Sequence, residues 1–167
     1  LDRLAEEARR TLQLASVIGR VFHYPVLTWL TSAADLAAQL DASLAALQRS
    51  ELVRERSRLP ELEYVFKHIM IRDVAYESLL IRDRQTFHRL VAQYLEENYV
   101  RQKREEVYEL LARHYSLADD GSTAMAPVRE KALMYLIQAG DKARAAYANP
   151  EALAFYRQAE PLAEELD

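Results

Sequence analysis

Leu52-Val53-Arg54-Glu55-Arg56, Ser57-Arg58-Leu59-Pro60 and Glu61-Leu62-Glu63-Tyr64-Val65-Phe66 form one continuous stretch in which the periodicity of the chain changes. On either side the apolar spacing is helical; here it shortens to two. Leu62, Tyr64 and Phe66 alternate with Glu61, Glu63 and Val65, as side chains do on the two faces of a pleated strand. The outer runs read as strands, the middle four residues as their loop, and the whole as a β-hairpin over about 52–66. An isolated hairpin is marginal in water, so this one is expected to lie on helices.

Upstream, Leu1, Leu4, Ala8, Leu12 and Ala15 recur at helical spacing, with Asp2, Arg3, Glu6, Glu7, Arg9 and Arg10 between them. Gly19 is expected to stop that helix in a left-handed cap. Tyr24, Leu27, Trp29 and Leu30 mark a second, short helix, with Pro25 suited to its first turn. Thr31 and Ser32 are cap candidates for a third helix, Ala33 to Arg49, striped by Leu36, Leu40, Leu44 and Leu47. Three short helices followed by a hairpin is the order of a winged helix-turn-helix domain, expected over residues 1–66.

Downstream the period is helical again. Met70, Val74, Ala75 and Leu79 mark one helix; Phe87, Leu90, Val91, Tyr94, Leu95 and Asn98 mark another, giving connecting helices over 67–102. Arg101-Gln102-Lys103-Arg104 punctuates. Val107, Leu110, Leu111, His114, Tyr115 and Ala118 form the next helix, and the turn chemistry of Asp119-Asp120-Gly121-Ser122-Thr123 ends it. Two more helices are expected around 128–147 and 151–166, the last begun by Asn149-Pro150-Glu151. Ala132-Leu133 and Gln138-Ala139 are echoed by Ala152-Leu153 and Gln158-Ala159. Small residues let helices approach while Tyr135 and Tyr156 fill gaps, which is the physics of helix-pair repeats. The echo is shorter than a full tetratricopeptide unit, so residues 103–167 read as the start of a degenerate tetratricopeptide-like array. The expected fold is mainly α, a winged helix with one hairpin followed by this array.

Composition narrows the function. Half of the 167 residues are hydrophobic, enough for a core, and only three glycines and five prolines argue against an all-β fold. With no cysteine there can be no disulfide, zinc ribbon or thiol nucleophile, and a reducing cytoplasmic home is expected. Twenty-two basic against 26 acidic residues give a net charge of −4, unlike a globally basic nucleic-acid binder. No apolar run reaches membrane-spanning length. The chain starts at Leu1, inside a helical pattern, and reads as a segment of a longer protein.

No catalytic constellation is visible. There is no nucleophile elbow and no glycine-rich loop ending in Lys-Ser or Lys-Thr, so the chain is not expected to cradle a triphosphate or to be an enzyme by itself. His23, His68, His88 and His114 give no paired metal motif. Glu105 and Glu106 read as a solvated face. His88 and His114, on or beside apolar stripes, are expected as interhelical hydrogen-bond partners, and Trp29 and the tyrosines as packing residues. The third helix would be the DNA-recognition helix, yet its charges are only Asp35, Asp41 and Arg49. Arg54, Arg56 and Arg58 on the hairpin are the candidate nucleic-acid contacts, but Glu55, Glu61 and Glu63 balance them. DNA affinity comes largely from counterion release, so this charge pattern favours protein packing.

Leu14-Ala15-Ser16-Val17-Ile18-Gly19-Arg20-Val21-Phe22, Phe66-Lys67-His68, Val74-Ala75-Tyr76-Glu77-Ser78-Leu79-Leu80, His88-Arg89-Leu90-Val91-Ala92 and Leu110-Leu111-Ala112-Arg113-His114-Tyr115 together resemble the signal-transduction ATPases with numerous domains. More narrowly, they are similar to large bacterial proteins in which such an ATPase accompanies an adenylate/guanylate cyclase domain or a transcriptional regulator. The resemblance implies a regulatory, non-catalytic region. Its partners would be an upstream ATPase domain of the same chain, which would bind ATP or ADP with magnesium, and a protein held by the helical repeats. It also implies that His68 contacts the bound diphosphate, although Lys67-His68-Ile69 replaces the Met-His-Asp of some relatives; a capping role for His68 is the alternative. The other readings are a DNA-binding winged helix and a plain helical scaffold or homodimerisation module.

Overall fold

A computed structural model describes residues 4–100 and 107–166. The expectations placed on Leu1, Asp2, Arg3, the run Arg101–Arg104, Glu105 and Glu106 lie outside these. The fold is mainly α with one small three-stranded antiparallel sheet. The chain divides into two compact units, residues 1–87 and 88–167.

The first unit runs α1 (Glu6–Ile18), β1 (Val21–His23), α2 (Tyr24–Ala33), α3 (Leu40–Arg49), β2 (Val53–Ser57), β3 (Glu63–Phe66), α4 (Ile69–Glu77) and the start of α5 (Ile81–Leu95). α1 is the hub, packing on α2, α3 and α4 through Ala8, Leu12, Ala15 and Val17, all buried. The hairpin forms where its alternation places it. Its register pairs Val53 with Phe66 and Glu55 with Tyr64, and a bulge falls between Glu55 and Ser57.

The sheet holds a third strand that the periodicity does not announce. β1 pairs with β3, Val21 opposite Val65 and Phe22 opposite Tyr64, giving the order β1-β3-β2. The cross-strand rings of Phe22 and Tyr64 stack at 5.7 Å, and Phe66 meets Phe22 edge-on at 5.4 Å. Gly19 makes the entry to β1. It ends α1 as expected, but not in the left-handed helical region: φ is 154° and ψ −172°. A β-carbon there would also lie 3.3 Å from the Val21 carbonyl oxygen.

Thr31 and Ser32 do not cap α3. They belong to the last turn of α2, where their hydroxyls donate back to the Leu27 and Thr28 carbonyls. The chain then turns through Asp35, at φ 57°, and a 3-10 turn at Ala37–Gln39, so α3 starts only at Leu40. Leu40, Leu44 and Leu47 form its buried stripe.

α4 buries Ala75 but leaves Met70 and Val74 exposed, so the expected apolar stripe is mostly open to solvent. A polar contact adds to its hold on α1: the Arg72 Nε donates to the Ser16 carbonyl at 3.0 Å. Arg72 and Arg84 each place a guanidinium over the Tyr76 ring, 4.7 and 4.8 Å from its centroid. Arg84 also donates to the carbonyls of Leu79 and Glu77, closing the end of α4.

The second unit contains the remainder of α5, a π-helical turn at Glu96–Val100, α6 (Tyr108–Ala118), α7 (Ala126–Ala145) and α8 (Asn149–Leu166). α7 packs on both α6 and α8. The echoed alanines, Ala132, Ala139, Ala152 and Ala159, are all buried. The loop after α6 uses its predicted chemistry: the Asp119 and Asp120 carboxylates accept from the Gly121 and Ser122 amides, and Gly121 takes φ 77°. Arg129, buried on α7, donates twice to Asp119 and pairs with Glu165 at 3.3 Å. Ala146 is the C-cap of α7, and Tyr147 takes the left-handed position, φ 60°, with the Ala148 amide donating to the Ala143 carbonyl.

Candidate functional site

In the second unit a trough is walled by α6 and α8 and floored by α7. Two adjoining cavities make it, about 260 and 410 Å³, and both are lined by Glu109 and Phe155. The sequence places these groups by helical spacing. Glu109, Arg113 and Leu117 recur every four residues along α6, while Glu151, Phe155 and Gln158 follow on α8. Leu136, Ala139 and Ala143 supply the floor from α7. Leu110 and Leu117 are 38% and 40% exposed, so apolar surface stays open along one wall. Periodicity alone assigned Leu110 to the core stripe.

Behind the trough lies a polar cluster that sequence reading missed. Glu96, at the head of the π-helical turn, accepts from Tyr115 Oη at 2.7 Å, from Tyr135 Oη at 2.8 Å and from Lys131 Nζ. The two tyrosine rings stack nearly parallel at 5.9 Å. Burial alone would raise the Glu96 pKa, but the three donors and the Lys131 charge overcome it and hold the carboxyl below its ordinary value. Burial, then the bond to Glu96, pushes both tyrosine hydroxyls well up. The available signal was a pair of tyrosines on otherwise apolar stripes, since a buried phenol requires a partner. Within the cluster the donors and the carboxylate satisfy one another.

His88 and His114, each expected as an interhelical hydrogen-bond partner, bond to each other. Both are buried, with Nδ1 atoms 2.8 Å apart, so one nitrogen donates and the other accepts. Among the described residues no group of three potential ligands could hold a metal ion.

His68 stands at the N-cap position of α4, exposed, and its side chain makes no capping hydrogen bond. The hairpin arginines Arg56 and Arg58 are brought together with balancing acids. Arg58 is bidentate on Glu55, and Arg56 reaches Glu63 at 3.4 Å. Arg54 is exposed on β2. Trp29, expected in the core, is 41% exposed. Among the described residues no helix is long and apolar enough to cross a membrane. Comparison with known families, curated proteins and solved structures finds no match for the chain.

Proposed function

We propose that the chain is the non-catalytic regulatory and interaction region of a multidomain signalling ATPase, coupling the nucleotide state of an upstream domain to partner binding. In this reading residues 1–66 form a winged helix, 67–102 are connecting helices, 103–167 begin a tetratricopeptide-like array, and the protein is cytoplasmic. The ATP or ADP with its magnesium belongs to the upstream domain, and no cofactor belongs to this region. The element order helix, strand, two helices, hairpin and the sheet order β1-β3-β2 support the winged-helix assignment.

The observation that carries a protein-directed role is the pairing of the wing. Arg56 and Arg58 are engaged by Glu63 and Glu55, and α3 carries one acid and one base, Asp41 and Arg49. A surface so neutralised releases few counterions on meeting phosphates. Two measurements test the reading. Titration with duplex DNA at low and moderate salt should give no steeply salt-dependent binding; strong binding lost on replacing Arg54, Arg56 and Arg58 with alanine would move the function to DNA. Hydrogen exchange at Lys67–Ile69 in the full-length protein should slow when ADP is added. An unchanged rate there would reduce the region to a plain scaffold.

A further inference from the structure

We propose that Tyr135 is a one-electron redox site, its electron leaving to an oxidant by way of Tyr108 and its phenolic proton crossing to Glu96 Oε1. The assignment does not depend on the regulatory reading above, which leaves these groups without a task. The geometry supplies the donor, the base and the port. Tyr135 is buried on α7, and its hydroxyl donates to Glu96 Oε1 at 2.8 Å. That separation lies within the reach over which a proton passes to a base. Tyr115 and Lys131 both donate to the other oxygen, Oε2, so among the described residues Oε1 serves Tyr135 alone. Tyr108 stands half-buried at the start of α6, its ring centroid 6.0 Å from that of Tyr135. Tyr115 stacks on Tyr135 at 5.9 Å with only 2° between the ring planes.

A one-electron oxidant such as a peroxyl radical takes an electron from Tyr108 and leaves as the peroxide anion, while the Tyr108 proton goes to water. The Tyr108 phenoxyl radical then takes an electron from Tyr135 and regains a proton from water. In the same step the Tyr135 O–H bond breaks and its proton bonds to Oε1. A neutral phenoxyl radical remains beside a carboxylic acid. Burial couples the two transfers. An electron lost without the proton would leave a cation in a site of low dielectric, where an unpaired charge is expensive. Glu96 therefore does inside the protein what water does for an exposed phenol such as Tyr147. Its three donors keep the carboxyl ionised at neutral pH and able to receive the proton. Once Glu96 is neutral, the Lys131 ammonium stays solvated, since its side chain is 43% exposed.

The test is laser flash photolysis of the whole chain with a ruthenium polypyridyl sensitiser and persulfate as electron acceptor. Phenoxyl radicals are followed by transient absorption and electron paramagnetic resonance. Exposed radicals meet and couple, so the fraction that persists is expected from the buried phenol. Tyr135→Phe should abolish the persistent fraction and Tyr115→Phe should retain it. A merely structural role would make these two variants behave alike, since each loses one hydroxyl bonded to the same carboxylate. Glu96→Gln keeps a hydrogen-bond acceptor but is a far weaker base. It should slow formation of the persistent radical by about tenfold or more, as should Tyr108→Phe, with helical circular dichroism unchanged. Heavy water should slow the same step in the wild-type chain. No persistent radical, one that survives Tyr135→Phe, one lost equally in Tyr115→Phe, or one formed at the wild-type rate in the Glu96→Gln or Tyr108→Phe chain would overturn the assignment.

Discussion

The ring of Tyr156 lies over Gly140 so closely that a β-carbon on residue 140 would meet its Cε1 at 2.5 Å. Gly140 is buried in the middle of α7, where its flexibility is a cost, and Tyr156 is held in place by a 2.7 Å hydrogen bond to Asp141. The contact sets how near α7 and α8 approach.

Gly140→Ala should therefore destabilise the chain by about 1 kcal/mol, because overpacking of about 1–3 kcal/mol outweighs the 0.8–1 kcal/mol that alanine contributes to a helix. In a Tyr156→Ala background the clash is gone, and the same substitution should stabilise by a little under that helix-propensity gain. Urea denaturation of the four proteins reads the sign change. An equal effect in both backgrounds would show that the ring does not set the spacing.

Glu96→Gln should cost roughly 1–2 kcal/mol at neutral pH, since two buried phenols lose a charged acceptor. Lys131 is 43% exposed, so its ion pair adds little to that figure. The sign in pH follows from the lowered pKa. The stabilisation is complete above the unfolded carboxylate value of about 4.3 and is lost as pH falls through the lower folded value. Denaturation curves of wild type and variant should thus draw together as pH falls below the unfolded carboxylate value. A gap that stays constant down to acid pH would contradict the network.

Tyr115 and Tyr135 carry the opposite sign. Their raised pKa values make the phenols stabilising below the unfolded tyrosine value of about 10, with the contribution disappearing as the folded phenols ionise. Absorbance titration should show late-ionising tyrosines that Tyr115→Phe and Tyr135→Phe each reduce.

His114→Leu should destabilise by about 1–3 kcal/mol, because His88 Nδ1 stays buried without the 2.8 Å bond. His88→Leu/His114→Leu should recover part of that loss. A double-mutant cycle with coupling below about 0.5 kcal/mol would mean the two rings are held independently.

Tyr147→Gly relieves a left-handed tyrosine and should stabilise the chain by up to about 1 kcal/mol, the loss of strain being offset in part by the freedom glycine gives the unfolded chain. Thermal unfolding checks this.

The legible parts of this fold were those written in local periodicity. Leu62, Tyr64 and Phe66 announced β3, Leu40, Leu44 and Leu47 announced α3, and the alanine echo announced the α7–α8 pairing. β1 was missed because three residues cannot display an alternation; Val21–His23 is a strand by virtue of its partner, Glu63–Val65, some forty positions away. Thr31 and Ser32 suit a cap by residue type, but type does not say on which side of the break a hydroxyl lies. Met70 and Val74 show that a helical stripe marks a face and not what covers it. The walls of the trough were readable as helices, but its opening was not, because which leucines of α6 stay open depends on how α6 and α8 flank α7. Glu96 was hidden more deeply, since a carboxylate amid charged neighbours reads as solvated until distant tyrosines converge on it.

The guanidinium pair on Tyr76 bears on how this region can drift over time. Each arginine both stacks on the ring and donates to main-chain carbonyls, and lysine, with a compact tetrahedral head, cannot reproduce that planar double engagement. Substitution should accordingly be tolerated more readily at position 76, among aromatics, than at 72 or 84. Homologous chains that preserve the corner between α4 and α5 are expected to retain arginine on either side of it.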